Sequence, residues 1–114
     1  EIEKADSEGN ERAHLALQMY NYRIKKYIGE YAAAMGGVDI IVWTAGVGEN
    51  QEDVRWDSCQ GLEFLGIKMD KEANHCRGVE RVISAPDSKV KVCLIPTDEE
   101  IVIARDTMEL VAKK

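Results

Sequence analysis

The sequence predicts an α/β fold, and three observations carry that prediction. Apolar residues recur at helical spacing from Ala13 to Met35. A short β-branched run, Val38–Thr44, then ends in the small-residue stretch Ala45-Gly46-Val47-Gly48. A second such run, Val90–Ile95, is followed at once by a helix-opening segment, Thr97-Asp98-Glu99-Glu100. Strands that feed helices in alternation define the class, and the predicted order is α–β–α–β–β–α.

Each element has its own signals. Glu1–Ser7 is short and acidic, and reads as the tail of an upstream element. Glu8-Gly9-Asn10 breaks the chain, and Asn10 can cap the helix after it. The stripe Ala13, Leu17, Tyr20, Ile24, Tyr27, Ile28, Tyr31 and Met35 has the 3.6-residue period of one helix face, with Arg12, Arg23, Lys25, Lys26 and Glu30 off it. Gly36-Gly37 ends that helix. The run Val38–Thr44 reads as a strand buried on both faces.

Gln51–Leu65 is the second predicted helix, capped by Asn50, with Val54, Ser58, Leu62 and Leu65 on one face. Gln51, Glu52 and Asp53 place acceptor-rich side chains in its first turn, where the dipole favours negative charge, and Gly66 closes it. Ile67–Asp70 can form a short strand, Lys71–Gly78 is polar and irregular, and Arg81–Ala85 is a candidate edge strand. Pro86-Asp87-Ser88 is a turn. Val90–Ile95 is the third strand, and Pro96 cannot donate to a ladder. Thr97 and Glu100 form a capping box for the last helix, which continues through Ile101, Ala104, Arg105, Met108 and Val111. No internal repeat or low-complexity linker interrupts the order.

Composition limits the function classes. The chain has 114 residues, enough for one domain at most, and 45% of them are hydrophobic, so a core can form. The formal net charge of −6 argues against a nucleic-acid backbone or an anionic membrane as partner. A phosphate ligand would need a cation in its site, because no basic cluster lies beside the glycine turn. No apolar run reaches the roughly 18–20 residues of a membrane span, and the acidic start is unlike a signal peptide. Cys59, Cys76 and Cys93 are odd in number and lack Cys-x-x-Cys spacing. They read as reduced thiols of a cytoplasmic protein, not as a disulfide frame or zinc site.

Two stretches can carry chemistry. Thr44–Asn50 lies at the carboxyl end of one strand and the amino end of a helix, where open α/β sheets place ligands. Gly46 and Gly48 lack a Cβ, so backbone can approach a ligand and φ can turn positive, and free N–H groups at a helix start favour an anion. Gly46-Val47-Gly48 begins a G-x-G-x-x-G pattern, but position 51 is Gln, and no P-loop lysine is near. On pattern alone the turn serves equally well as a tight connection. Thr97–Glu100 occupies the same topological position after the later strand. If the two strands are parallel neighbours, both turns open on one crevice. Glu100 has its capping role, whereas Glu99 and Asp98 have none; a carboxylate there could hold Mg²⁺, although a first-turn acid favoured by the dipole is the simpler reading.

The remaining candidates have plainer readings. His14 and His75 read as surface residues. Trp43, Tyr20, Tyr27 and Tyr31 read as core, Trp56 as half exposed and available to an interface, and Cys59 and Cys93 as packed thiols.

The segment Ile41–Asn50 closely resembles the nucleotide-binding segment of acetate kinases. The resemblance continues through Gly61-Leu62-Glu63-Phe64-Leu65-Gly66, Ile83–Ser88, Ile95–Glu100 and Ile103–Thr107. Upstream, Gly9–Ala13 and Tyr27–Tyr31 fit as well. It therefore spans essentially the whole chain, with several separated motifs in order.

The resemblance implies that residues 1–114 are the carboxyl-terminal part of the second, nucleotide-binding domain of an acetate kinase. Those enzymes belong to the acetate and sugar kinase, Hsp70 and actin superfamily, with ribonuclease-H-like cores that bind ATP in a cleft. On this basis Gly46, Val47, Gly48, Glu49 and Asn50 belong to the ATP-binding loop, and Glu99 matches the Mg²⁺-coordinating glutamate. The family usually has Asn where this chain has Asp98, which adds a negative charge beside the metal position. An adenine-contacting Asp-x-Arg segment is expected just before residue 1, together with three further strands of the unit. The acetate pocket and the phosphoryl-handling residues belong to the amino-terminal domain, so no catalytic residue is assigned and this chain alone is expected to be inactive. A propionate kinase of the same family is the close alternative. A homodimer is expected by resemblance, and a dimerisation module without nucleotide affinity is the rival of another class, since an open sheet edge and uncovered apolar helix faces invite pairing.

Overall fold

The computed structural model describes residues 4, 7–97 and 99–112, with the backbone alone at 99–103. Helix α1 spans Glu11–Met35. The Asn10 side chain accepts from the Ala13 amide at 3.0 Å, and Gly36 ends the helix in the left-handed conformation at φ 77°. Both ends fall where the cap residues predict. Strand β1 is Ile40–Trp43, shorter than the predicted run, and leads directly into the six-residue helix α2, Ala45–Asn50. Gln51 takes an extended conformation, and α3 follows over Glu52–Cys59.

This differs from the predicted open turn and single helix to Leu65. The small residues after β1 coil immediately, and Gln51, not Asn50, precedes α3, without a side-chain cap bond. Gly61, at φ 84°, stops the helix early. The apolar spacing persists to Leu65 because a 3₁₀ turn, Glu63–Leu65, carries it on. Gly66 then closes that turn at φ 96°, a strained conformation for an L-residue, and a Cβ would lie a tight 3.0 Å from the Lys89 Cβ, so glycine is favoured there.

The polar stretch after Met69 is more ordered than its composition suggests. Asp70 Oδ1 accepts from the Glu72 and Ala73 amides and caps a single turn of helix, α4, Lys71–Asn74. The predicted strand Ile67–Asp70 reduces to one antiparallel bridge, Met69 to Ser84. Strand β2 is Arg81–Val82 and β3 is Lys91–Leu94. The Pro86-Asp87-Ser88 turn is present, with the Ser88 amide donating to the Ala85 carbonyl at 2.9 Å. Helix α5 spans Glu99–Ala112. The predicted capping box needs the Glu100 side chain to reach back to Thr97, and that side chain lies outside the described residues.

The sheet has the order β1–β3–β2. β1 pairs with β3 in parallel, Ile40 opposite Lys91 through Trp43 opposite Leu94, and β2 pairs with β3 antiparallel. β2 is an edge strand, as predicted. The core gathers Trp43, Val54, Cys59, Leu62, Ile67, Ile83, Val90, Val92 and Leu94 on one side of the sheet. There α3 and the segment after it cover the strands.

Burial departs from prediction on the other side. β1 is not covered on both faces: Ile40 is 57% exposed and Val42 49%. Tyr20, Tyr27 and Tyr31 are also exposed, with Tyr31 at 63%. The apolar pattern of α1 and β1 calls for a neighbour that the described residues do not supply. The outcome is a groove of about 330 Å³ between α1 and β1, lined by Tyr27, Tyr31, Met35, Ile40 and Val42 among others. Trp43 and Cys59 are buried as predicted, Cys93 is half-buried, and Trp56 is half-buried beneath the Lys71 ammonium, 5.5 Å from its ring. No helix among the described residues is long and apolar enough to cross a membrane.

Candidate functional site

The parallel pairing of β1 and β3 brings the two predicted turns together. The Ile95 amide donates to the Trp43 carbonyl at 3.0 Å, so the ladder runs to the last residue of β1. Both strands therefore end at the same edge. α2 leaves from one and the path to α5 from the other. Across the gap the Thr97 hydroxyl donates to Glu49 Oε2 at 3.5 Å. The condition set by the sequence, parallel neighbours opening on one crevice, is met.

The turn itself is built differently from expectation. Neither Gly46 nor Gly48 has positive φ; the left-handed residue is Ala45, at φ 62°. An L-residue there is strained, by roughly 1–2 kcal/mol, and such strain collects at functional sites. Gly48 is buried, and a Cβ on it would touch the Trp43 backbone carbon at 3.4 Å, an ordinary contact. Gly46 is exposed, and a Cβ there would meet nothing within 4 Å. Packing and φ thus leave position 46 free for any residue, and a helix prefers alanine to glycine by about 1 kcal/mol. The bare backbone at Gly46 faces open space. Val47 and Asn50 are exposed and Glu49 is half-buried at the Thr97 side.

Glu99 begins α5 on the backbone; its side chain lies outside the described residues. Glu49 and Thr97 supply carboxylate and hydroxyl oxygens at the same edge, the hard donors that suit Mg²⁺. Among the described residues no group of three or more His, Cys, Asp or Glu side chains could hold a metal ion by itself.

Sequence reasoning missed Arg55, which is fully buried. Its Nη1 donates to the Gly48 carbonyl at 2.9 Å and its Nε to Asn74 Oδ1 at 2.8 Å. Nη2 donates to the Asn74 and Cys76 carbonyls at 2.8 and 2.6 Å. Burial lowers its pKa from the ordinary arginine value, while Cys76 and Glu52 oppose that. The Asn74 amide group in turn donates to the Glu52 carbonyl, and the Gly78 amide to the Glu49 carbonyl. The loop after α4 is thereby knitted to α2. One signal was present: Cys59 lies one turn beyond Arg55, on the same buried face.

The other candidates stay peripheral. His14 and His75 are exposed as predicted, and His75 Nδ1 lies 2.8 Å from Glu52 Oε2. Burial and the neighbouring Asp53 raise the Asp57 carboxyl, with Lys25 opposing. Burial pushes the Cys59 thiol up to about 12.

An α/β unit with two helix starts at one edge of a parallel strand pair places them where open α/β sheets bind ligands, and the arrangement is that of the actin-like ATPase fold. Solved kinases share it. The acetate kinase of Porphyromonas gingivalis superposes with a TM-score of 0.89 at 59% identity, covering 97% of this chain and 28% of that one. A propionate kinase from Francisella tularensis superposes at 0.78 with 28% identity, over 90% of this chain and 26% of that one. The acetate kinase of Phocaeicola vulgatus is 60% identical over 113 residues, 99% of this chain and 28% of its own length. The sequence profile of the Acetokinase family matches residues 1–105. The chain belongs to that family, and it spans less than a third of the length of these relatives.

Proposed function

We propose that this chain is the nucleotide- and Mg²⁺-facing part of an acetate kinase, from the carboxyl-terminal portion of its second domain. The whole enzyme would transfer a phosphoryl group between ATP and acetate. The observation that carries the reading is the shared edge of β1 and β3, which sets Glu49 against Thr97 beside the open backbone of Gly46. Gly46, Val47, Gly48, Glu49 and Asn50 would line the nucleotide, the bare Gly46 backbone allowing close approach. Glu99, with hard oxygens at hand on Glu49 and Thr97, would hold Mg²⁺, which neutralises phosphate charge that this acidic chain cannot. The acetate pocket would come from residues outside the chain, so the chain alone would not phosphorylate acetate. The names of the acetate kinase relatives support acetate over propionate. The acidic charge accords with a cytoplasmic enzyme acting on small molecules.

Calorimetric titration of the chain with Mg-ATP tests the nucleotide half-site, and saturable binding is expected. Grafting residues 1–114 in place of the equivalent segment of the Porphyromonas gingivalis acetate kinase tests the whole reading. Acetyl phosphate formation should persist, and a folded graft without it would refute the assignment.

A second reading is favoured by the exposed tyrosines of α1 and the uncovered face of β1, which form one apolar surface. The chain would then serve as an assembly module, in a homodimer or against the rest of its own domain, without nucleotide affinity of its own.

A further inference from the structure

We infer that Arg55 is a positioning residue for the nucleotide turn, an inference that rests on residues 46–50 lining the nucleotide. Four hydrogen bonds tie its guanidinium to Gly48, Asn74 and Cys76, and all four acceptors are uncharged oxygens. A guanidinium with no solvent exposure and only neutral acceptors is costly to bury. A hydrophobic residue of similar size would fill the space more cheaply. What the arginine adds is geometry. Its planar fork reaches three residues at once, and one of the three, Gly48, belongs to the turn. The Gly48 carbonyl is thereby fixed relative to the loop after α4, whose Gly78 amide holds the neighbouring Glu49 carbonyl at 3.0 Å. Between these two bonds, Glu49 is held where its carboxylate meets Thr97. Arg55 itself reaches no ligand; it acts through the backbone of residues 48 and 49.

The test uses the full-length graft into the Porphyromonas gingivalis enzyme. Arg55→Lys keeps a cation but gathers its donors on one nitrogen, without the planar fork that spans Gly48, Asn74 and Cys76 together. It should raise the KM for Mg-ATP roughly tenfold while leaving the KM for acetate within about twofold. A fall in kcat with both KM values unchanged would mark general structural damage and overturn the inference, as would wild-type kinetics. If the lysine variant fails to fold, Asn74→Ala withdraws one acceptor and should raise the Mg-ATP KM about threefold; an unchanged value overturns the inference. If the parent graft makes no acetyl phosphate, the functional reading fails separately. The tether is then read in the 114-residue chain by amide exchange. Arg55→Lys should speed exchange at Gln51 and Gly78 relative to Val92, and an unchanged ratio overturns the inference.

Discussion

The Ile95 amide donates to the Trp43 carbonyl at 3.0 Å, joining the ends of two strands. That bond aligns the strand ends, so the segments leaving Trp43 and Ile95 must face each other. Glu49 and Thr97 do so at 3.5 Å. The same alignment positions the glycine segment, while one face of β1 stays uncovered by the described residues, and both features can be probed.

Gly46→Ala should separate stability from binding. The position is helical, its φ is ordinary and a Cβ meets nothing. The fold should gain about 0.5–1 kcal/mol, read as a higher melting temperature. Affinity for Mg-ATP should fall roughly tenfold, because the methyl group occupies the approach to the backbone. A variant that is both more stable and equally tight would remove the functional reason for this glycine.

Ala45→Gly should relax the one left-handed non-glycine residue among those described. After the entropy that glycine adds to the unfolded chain, a net gain of about 0.5 kcal/mol is expected. Urea unfolding measures it; a loss of stability would show that Ala45 is not strained.

Glu99→Ala in the full-length graft should raise the Mg²⁺ concentration needed for half-maximal turnover by about tenfold and lower kcat. A Mg²⁺ titration of initial rates checks this. Unchanged Mg²⁺ dependence would place the metal elsewhere.

On the assembly-module reading, Val42→Lys should reduce self-association of the chain. Val42 is exposed on a strand whose outer edge has no partner among the described residues, and an edge lysine opposes pairing. Sedimentation velocity should show a lower average mass, with stability changed by less than about 0.5 kcal/mol.

Cys59 should make the fold sensitive to alkali. Burial pushes its thiol from the ordinary cysteine value of 9.0 up to about 12 in the fold. The neutral thiol is therefore favoured in the folded state. This contribution is complete below pH 9 and is lost as pH rises towards 12, at up to about 1.4 kcal/mol per pH unit. Denaturation midpoints between about pH 8 and 10.5 should fall in the wild type and stay flatter in Cys59→Ala, whose absolute stability is lower because of the cavity.

Caps and glycine stops were legible where the signal is local. The Asn10 side chain caps α1, Gly36 ends it in the left-handed conformation, and Gly66 closes a turn where a Cβ would be strained. Gly61 was equally local, but the apolar spacing through Leu62 and Leu65 ran across it. A 3₁₀ turn and a helix share that spacing over one turn. The double-sided burial expected of β1 failed for another reason. Ile40-Ile41-Val42 is composed for a sheet covered on both faces, and composition cannot say whether the covering elements belong to the described chain. The crevice was legible as a condition, since two strand-to-helix junctions needed only a parallel pairing to meet. Arg55 was not, because its acceptors are oxygens of a turn and a loop whose sequences say nothing of where they fold back.

The parallel register between β1 and β3 also sets an order of events during synthesis. Everything from Thr44 to Val90 lies between the two strands, and a pairing that distant closes late. On the ribosome, α1 and β1 emerge with the glycine segment attached, but the opposite wall of the crevice does not exist until Leu94 and Ile95 have left the exit tunnel. A nascent chain stopped before Val90 could tie the glycine segment to Arg55 and Gly78 but would lack the Thr97 side of the crevice. The two-sided crevice is therefore a feature that arrives only after β3 has been translated.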